Sequence, residues 1–220
     1  MKIFCVIPSW NQANTLEKVV NDVSKFCDNI VIVDDGSTDQ TKEVVKNLPA
    51  HFISHAINRG QGAALKTGTQ FAKEYGADIV VHFDADGQFR AEDLQKIVAP
   101  IINNQAQIVF GSRFLDTTTK MPEFKKKFIM PLARFINKYV FRINLTDPQS
   151  GFRALGPLAL QEIDWRQDRM AHCSEILVAA HRSGLTIAEV PITVIYHEFG
   201  QKIGGGLKIL RDLFLSKLNN

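Results

Sequence analysis

Apolar runs and helical patterns alternate through the first half of the chain. Short apolar runs predict strands at residues 2–7, 30–33, 51–54, 79–83 and 107–110. Between them, apolar positions at helical spacing predict helices at residues 14–26, 39–47, 61–75 and 91–103. This alternation predicts an α/β fold, in which a mainly parallel central sheet is covered by helices on both faces.

The pattern changes after residue 111, and the elements become less regular. In chain order we predict a loop at residues 111–122, a basic helix at 123–142, a polar and then extended segment at 147–155, a helix at 172–183, one or two strands at 186–196 and a C-terminal helix within 204–220. No internal repeat and no low-complexity linker divides the chain. We therefore expect a single domain over residues 1–220.

Composition narrows the class of protein. Hydrophobic residues make up 45% of the chain, as in an ordinary globular core. The net charge is only +3, which predicts no nucleic-acid partner. The charge is unevenly spread, however, and the whole positive excess lies in residues 120–142. Three scattered cysteines, Cys5, Cys27 and Cys173, predict reduced thiols in a cytosolic protein. The apolar run that ends at Pro8 is too short for a signal peptide, and we expect no membrane span.

A pair of carboxylates follows one of the predicted strands. Asp84 and Asp86 come directly after residues 79–83, and Gly87 lets the chain turn away. Carboxylate oxygens suit a hard divalent cation, and such a cation commonly holds phosphates as well. The alternative is a polar turn after a buried strand.

A second pair of aspartates follows another predicted strand. Asp34 and Asp35 lie at a strand end, where ligands bind in sheets of this kind. Helix capping would explain the polar residues at 37–39 but leaves the two aspartates unexplained. Their oxygens could accept hydrogen bonds from a nucleobase or a ribose.

Two glycines open the predicted helix at residue 61. Gly60 and Gly62 would permit a phosphate to approach backbone N–H groups at the helix N-terminus. The third glycine of a dinucleotide fingerprint is missing, which disfavours a dehydrogenase.

Two further polar residues are candidates for a site. Arg113 follows a predicted strand. Its planar guanidinium group could bind a phosphate, or form a surface salt bridge. Asp147 could be a site carboxylate or part of a turn, which Pro148 and Gly151 favour.

The basic segment 123–142 combines an apolar stripe with cationic residues. The stripe is formed by Phe124, Phe128, Leu132, Phe135, Tyr139 and Ile143. Arg134, Lys138 and Arg142 form an adjacent cationic ridge. This arrangement indicates a helix lying on an anionic membrane surface. A core-packed helix with a solvated face is the alternative.

Together these motifs resemble the family 2 glycosyltransferases, which have the GT-A fold. The motifs occur in the family's order at residues 7–11, 33–39, 58–62, 84–88, 111–113 and 150–153. The Asp-Ala-Asp-Gly-Gln form, and the Asp-x-x-Ser-Gly-Phe-Arg element that begins at Asp147, are most similar to the dolichyl- or polyprenyl-phosphate sugar transferases. The resemblance covers residues 2–196.

The resemblance implies roles for matching residues. Asp84, Asp86 and Gln88 would hold Mg²⁺ or Mn²⁺ and the donor diphosphate, with Asp86 the surest ligand. The implied nucleoside pocket contains Pro8, Asn11 and Asp35. The implied phosphate-binding residues are Arg113 and Arg134 for the acceptor and Arg182 for the donor. Two departures from the family pattern are Gln12, where Glu is common, and Glu198, where Arg is common.

The resemblance also implies a division of the chain. Residues 1–112 would bind the nucleotide sugar, and residues 113–200 would bind the acceptor. The implied enzyme is peripheral on the cytoplasmic face of a membrane. A membrane-protein partner or a second copy of the chain is a possible further partner.

The implied reaction is a single displacement with inversion, from a UDP- or GDP-sugar to a polyprenyl or dolichyl phosphate. The cation would neutralise the departing nucleoside diphosphate. A lipid phosphate is already anionic, so Asp147 would be a base only for a hydroxyl acceptor. The alternatives are a transferase that acts on a glycan hydroxyl and an inactive module that binds a sugar nucleotide or a partner.

Overall fold

The computed structural model describes residues 1–115 and 145–195. Its strands are β1 (Ile3–Ser9), β2 (Asn29–Asp34), β3 (His51–Ser54), β4 (Ile79–His82), β5 (Ile108–Ser112), β6 (Arg153–Leu155) and β7 (Ile187–Pro191). Its helices are α1 (Leu16–Val23), α2 (Thr41–Val45), α3 (Gln61–Glu74), α4 (Asp93–Ile102), α5 (Pro157–Glu162) and α6 (His172–Arg182). The predicted helices at 123–142 and 204–220 lie outside the described residues.

The seven strands form one sheet in the order β3-β2-β1-β4-β6-β5-β7. All pairings are parallel except those of β6, which runs antiparallel to both of its neighbours, β4 and β5. The prediction of a mainly parallel sheet is confirmed. The sequence had not indicated that the short strand β6 lies between β4 and β5.

Helices cover both faces of the sheet, as predicted. Because side chains alternate along a strand, β1 contributes to both cores. Cys5 and Ile7 pack with α1 and α4 on one face. Phe4 and Val6 pack with α3, α5 and α6 on the other.

Helix α3 packs closely on the sheet through small residues. Ala63, Ala64, Gly68 and Ala72 are buried, as its sequence pattern predicted. A Cβ added at Gly68 would collide with the side chain of Val6. This close packing fixes where the N-terminus of α3 meets the carboxyl edge of the sheet.

Two segments differ from the prediction. Helix α5 was missed; it is only six residues long and begins at Pro157, a residue suited to the first turn of a helix. Gly111 and Ser112 belong to β5 and not to a loop. The N–H of Gly111 donates to the carbonyl of Phe152 at 2.9 Å, and the carbonyl of Ser112 accepts from Ile192 at 3.0 Å. Neighbouring segments therefore extend the strand beyond its apolar run.

Within residues 1–115 and 145–195, no helix combines the length and the apolar character that crossing a membrane requires.

We predict that Gly68→Ala lowers the free energy of unfolding by about 1–3 kcal/mol, because the added methyl group overpacks the contact with β1. Urea denaturation measures this change. Gln70→Ala, on the exposed face of the same helix, is the control and should change stability little. A Gly68→Ala protein as stable as the wild type would show that α3 does not pack this closely.

Candidate active site

The candidate site lies where β1, β2 and β4 end at the same edge of the sheet. Ser9 pairs with Asp34 at the ends of β1 and β2, and β4 runs parallel to β1 on its other side. The hydroxyl of Thr15 donates to the carbonyl of Ala85 at 2.8 Å, which joins the segment after β1 to the turn after β4. The predicted nucleoside and metal motifs therefore lie on neighbouring loops.

Asp84 is held between α3 and the segment that precedes β6. Nε2 of Gln61 donates to Oδ1 of Asp84 at 2.7 Å. On the other side, a Cβ added at Gly151 would lie 2.5 Å from Oδ2 of Asp84. Only glycine at position 151 leaves room for the carboxylate in this position.

The environment of Asp84 disfavours its charge. Burial is the main cause and the nearby Asp86 carboxylate the second; together they raise the pKa of Asp84 to about 7, although Arg153 and His172 oppose the rise. A divalent cation between the two carboxylates would favour their charged forms.

The donor set fits Mg²⁺ or Mn²⁺ bound together with a diphosphate. Oδ1 of Asp86 accepts from the backbone N–H of Gln88 at 3.0 Å, which orients this second carboxylate within its turn. Among the residues that the structure describes, no group of three or more His, Cys, Asp or Glu could hold a metal. Magnesium is commonly bound by one or two carboxylates, with substrate phosphates and water completing its coordination. The predicted ligand role of the Gln88 side chain stays a prediction.

Asp35 organises the segment that leads into α3. Its Oδ1 accepts from Nδ1 of His55 at 2.7 Å and from the N–H of Arg59 at 3.0 Å. Its Oδ2 accepts from the N–H of Gly60 at 2.6 Å. Since each carboxylate oxygen has about two acceptor sites, Oδ2 retains one. The predicted contact of Asp35 with a nucleoside stays a prediction.

Asp34 has protein partners on both oxygens. Oδ1 accepts from the N–H of Ser37 at 3.1 Å, and Oδ2 accepts from the hydroxyl of Ser54 at 3.0 Å. The side chain is fully buried and lies 3.7 Å from the ammonium of Lys42. These contacts give Asp34 a structural role in joining β2 to β3; the predicted substrate contact is untested.

The segment after β1 is tied to the loop after β2. Asn11 has a positive φ of 54°, a conformation that asparagine tolerates. Its Oδ1 accepts from the N–H of Thr38 at 2.9 Å, and its own N–H donates to the hydroxyl of Ser37 at 2.9 Å. Pro8 lies within β1, opposite Val33 of β2. The nucleoside roles of Pro8 and Asn11 stay predictions.

The glycines at the start of α3 lie against protein backbone. A Cβ at Gly60 would collide with the carbonyl of Asp168, and one at Gly62 with the carbonyl of Gln167. Nε1 of Trp165 donates to the carbonyl of Gly62 at 2.9 Å. The close approach that we predicted for a phosphate is therefore made here by residues 165–168. Phosphate binding by these glycines stays a prediction.

Arg113 and Asp147 form a bidentate ion pair. Nε and Nη2 of Arg113 donate to Oδ2 and Oδ1 of Asp147 at 2.6 and 2.7 Å. Glu189 of β7 accepts from the N–H groups of Thr146 and Asp147 at 2.7 and 2.8 Å, which fixes the segment that carries Asp147. The sequence did not indicate Glu189, because its partners are distant in the chain. The catalytic roles of Arg113 and Asp147 stay predictions.

The predicted contact of Arg182 with the donor diphosphate stays a prediction. Arg182 is the last residue of α6, whose first residue, His172, lies beside Arg153. The 11 residues of this helix place its two ends about 15 Å apart. Arg134 lies outside the described residues, so the structure gives its predicted acceptor contact no test.

A buried polar cluster lies behind Asp84. Arg153 is completely buried, and its Nη2 donates to Nε2 of His172 at 3.2 Å and to Sγ of Cys173 at 3.1 Å. Burial raises the pKa of Cys173, but Arg153 and His172 outweigh that effect and bring it to about 6. The sequence marked Arg153 only through the Ser-Gly-Phe-Arg motif and gave no reason to group it with His172.

The described fold is that of GT-A glycosyltransferases. A solved structure of glucosyl-3-phosphoglycerate synthase from Mycobacterium tuberculosis, in complex with Mn²⁺, UDP and glucosyl-3-phosphoglycerate, matches with a TM-score of 0.75. The two chains are 19% identical, and the match covers 99% of this chain and 79% of that one. At this identity the likeness shows the fold alone.

Sequence comparison identifies the family. Residues 4–163 match the model described as "Glycosyl transferase family 2". The chain therefore belongs to family 2 of the glycosyltransferases and is a transferase.

Two curated relatives are similar along nearly the whole chain. A UDP-N-acetylglucosamine–dolichyl-phosphate N-acetylglucosaminyltransferase of Methanococcus voltae is 37% identical, over 98% of this chain and 96% of that protein. A polyprenol monophosphomannose synthase of Mycolicibacterium smegmatis is 26% identical, over 95% of this chain and 83% of that protein. The predicted resemblance to polyprenyl-phosphate sugar transferases is confirmed.

We predict that Gly151→Ala lowers transferase activity by at least about tenfold, because the new Cβ displaces the Asp84 carboxylate from its position. The control is the same substitution in an Asp84→Ala background. If the effect acts through Asp84, Gly151→Ala adds little there. An equal loss in both backgrounds would contradict this account.

The raised pKa of Asp84 predicts a pH-dependent stability. Between about pH 4 and pH 7 the folded protein retains a proton on Asp84 that the unfolded chain has released. Asp84 therefore lowers the free energy of unfolding as the pH rises through this range. Urea denaturation in EDTA should show that Asp84→Asn gains stability relative to the wild type as the pH rises, with no further gain above the folded pKa. Parallel pH profiles for the two proteins would refute the raised pKa.

Proposed function

We propose that this protein transfers a sugar, with inversion, from a nucleoside-diphosphate sugar to a polyprenyl or dolichyl phosphate. The observation that carries the proposal is the pair Asp84 and Asp86, held at the sheet edge beside the loop of Asp35. This arrangement offers acceptors for a nucleoside next to ligands for a cation and diphosphate. The Methanococcus voltae relative supports the substrate classes, since its name specifies UDP-N-acetylglucosamine and dolichyl phosphate.

The proposed donor site depends on a divalent cation, Mg²⁺ or Mn²⁺. When bound, the cation would stabilise the negative charge on the departing nucleoside diphosphate. Asp84 and Asp86 would hold it, and the retained acceptor site on Oδ2 of Asp35 is available to a nucleobase or ribose donor. The Mn²⁺ and UDP in the M. tuberculosis synthase structure support this kind of site.

The ion pair of Arg113 and Asp147 favours a phosphate acceptor over a hydroxyl. A hydroxyl acceptor needs a general base, and Arg113 already occupies three of the about four acceptor sites on the Asp147 carboxylate. A phosphate acceptor is anionic and needs no such base. We propose that Arg113 lies at the acceptor phosphate, with Arg134 as a second contact.

The acceptor lipid would place the reaction at a membrane surface. We propose that the basic segment 123–142 contacts anionic lipid on the cytoplasmic face, because its cationic side chains accompany an apolar stripe. The protein would then be peripheral, with its donor site open to soluble nucleotide sugars.

We predict that Asp86→Ala abolishes sugar transfer to polyprenyl phosphate in anionic vesicles while leaving the melting temperature nearly unchanged. The reason is the loss of a cation ligand in a partly exposed turn. Labelled UDP- and GDP-sugars, each with and without Mn²⁺, provide the measurement. Asp28→Ala, at an exposed aspartate away from the sheet edge, is the control.

Three outcomes would contradict the proposal. Wild-type turnover in Asp86→Ala would exclude the metal role of this residue. Label transferred only to a glycan hydroxyl would exclude the lipid acceptor. Binding of a sugar nucleotide with no transfer to either acceptor would identify an inactive binding module.

A further inference from the structure

The segment 59–61 connects the two carboxylates of the proposed donor site. The N–H groups of Arg59 and Gly60 donate to Asp35 at 3.0 and 2.6 Å. The next side chain, Gln61, donates to Asp84 at 2.7 Å. Three consecutive residues therefore contact both the proposed nucleoside ligand and the proposed metal ligand.

We propose that Gln61 is a positioning residue, which holds Asp84 toward the cation and couples cation binding to nucleotide binding. This inference rests on the proposed metal-dependent donor site. Gln61 is not one of the proposed ligands, and its contact crosses from α3 to the turn after β4.

The hydrogen bond leaves Asp84 able to bind a cation. Oδ1 has about two acceptor sites, and the amide of Gln61 occupies one of them. The other oxygen, Oδ2, is confined by the backbone at Gly151. Hydrogen bonds of this kind orient metal-binding carboxylates, and their loss typically lowers metal affinity by about 10–100-fold.

The backbone of Gln61 is fixed on both sides, so its side chain has a defined direction. Gly60 has a φ of 120°, which a residue with a side chain would rarely adopt, and its N–H is held by Asp35. The carbonyl of Gly60 accepts from Ala64 at 3.1 Å in the first turn of α3. The N–H of Ala63 donates to the carbonyl of Asp168 at 3.0 Å. A nucleotide that engages Asp35 would thus act on the same rigid segment that orients Asp84.

Calorimetric titration of the full chain tests this inference. Mn²⁺ is titrated into protein saturated with UDP, and UDP is titrated with and without Mn²⁺. Gln61→Met removes the amide donor but retains a side chain of similar length. Gln70→Met, at an exposed position of the same helix, is the matched control.

For Gln61→Met we expect about a tenfold or greater loss of Mn²⁺ affinity in the presence of UDP. UDP affinity without Mn²⁺ should stay within about twofold of the wild type. By linkage, the enhancement of UDP binding by Mn²⁺ must fall to the same extent as the enhancement of Mn²⁺ binding by UDP. Gln70→Met should behave as the wild type.

Wild-type Mn²⁺ affinity in Gln61→Met would overturn the inference, and so would an equal loss of UDP affinity with and without Mn²⁺. The second result would mean that Gln61 only supports the local fold. If the wild-type protein itself binds no Mn²⁺ in the presence of UDP, the proposed metal-dependent site fails, and the inference fails with it.

Discussion

The antiparallel strand β6 lies between β4 and β5 and pairs with both. Its position determines what surrounds Asp84, because β4 leads directly into the Asp-x-Asp turn. The residue at 151, just before β6, has to be glycine to leave room for the Asp84 carboxylate. Arg153, the first residue of β6, pairs across the strands with His82 and is buried beneath the turn. The candidate site thus depends on one short strand that is antiparallel to both of its neighbours.

The environment around this strand disfavours the charged form of Asp84, which explains why a cation suits the site. Burial raises the pKa of Asp84 and, with Asp86 nearby, makes its charged form costly. Burial also holds the pKa of His82 well below its usual value, with Arg153 and His172 acting in the same direction. The guanidinium of Arg153 is completely buried, and within the described part of the chain its Nη1 lacks a hydrogen-bond partner. Side chains whose pKa values are shifted in this way often belong to functional sites, since a bound ligand can stabilise the form that the protein environment disfavours.

Much of the fold could be predicted from the sequence because four of the parallel strands, β1, β2, β4 and β5, are almost completely buried. Continuous apolar runs such as residues 79–81 show both the strand and the position of the carboxylates that follow it. Contacts between distant segments could not be predicted in this way. The direction of β6 depends on pairing with β4 and β5. This strand is only three residues long, which is too short to show an alternating pattern in the sequence. The short helix α5 is missed for the same reason.

The same distinction between local sequence patterns and contacts of distant segments holds for the candidate site. Local motifs identified Asp35, Asp84 and Asp86, and the sheet brings their loops together. The partners of these residues, including Gln61 and His55, follow from tertiary contacts that spacing does not encode. The glycines at 60 and 62 were assigned to phosphate from local sequence alone, whereas the backbone of residues 167–168 lies against them.

The most direct test of a cation shared by the carboxylates and the donor diphosphate is a crystal structure with UDP and Mn²⁺, using anomalous diffraction at the manganese edge. The account predicts a manganese peak within coordination distance of Asp84 or Asp86 and of the diphosphate. The nucleoside should lie at Asp35, and Gln61 should remain hydrogen-bonded to Asp84. Manganese bound away from both carboxylates, or a diphosphate that shares no cation with them, would contradict it.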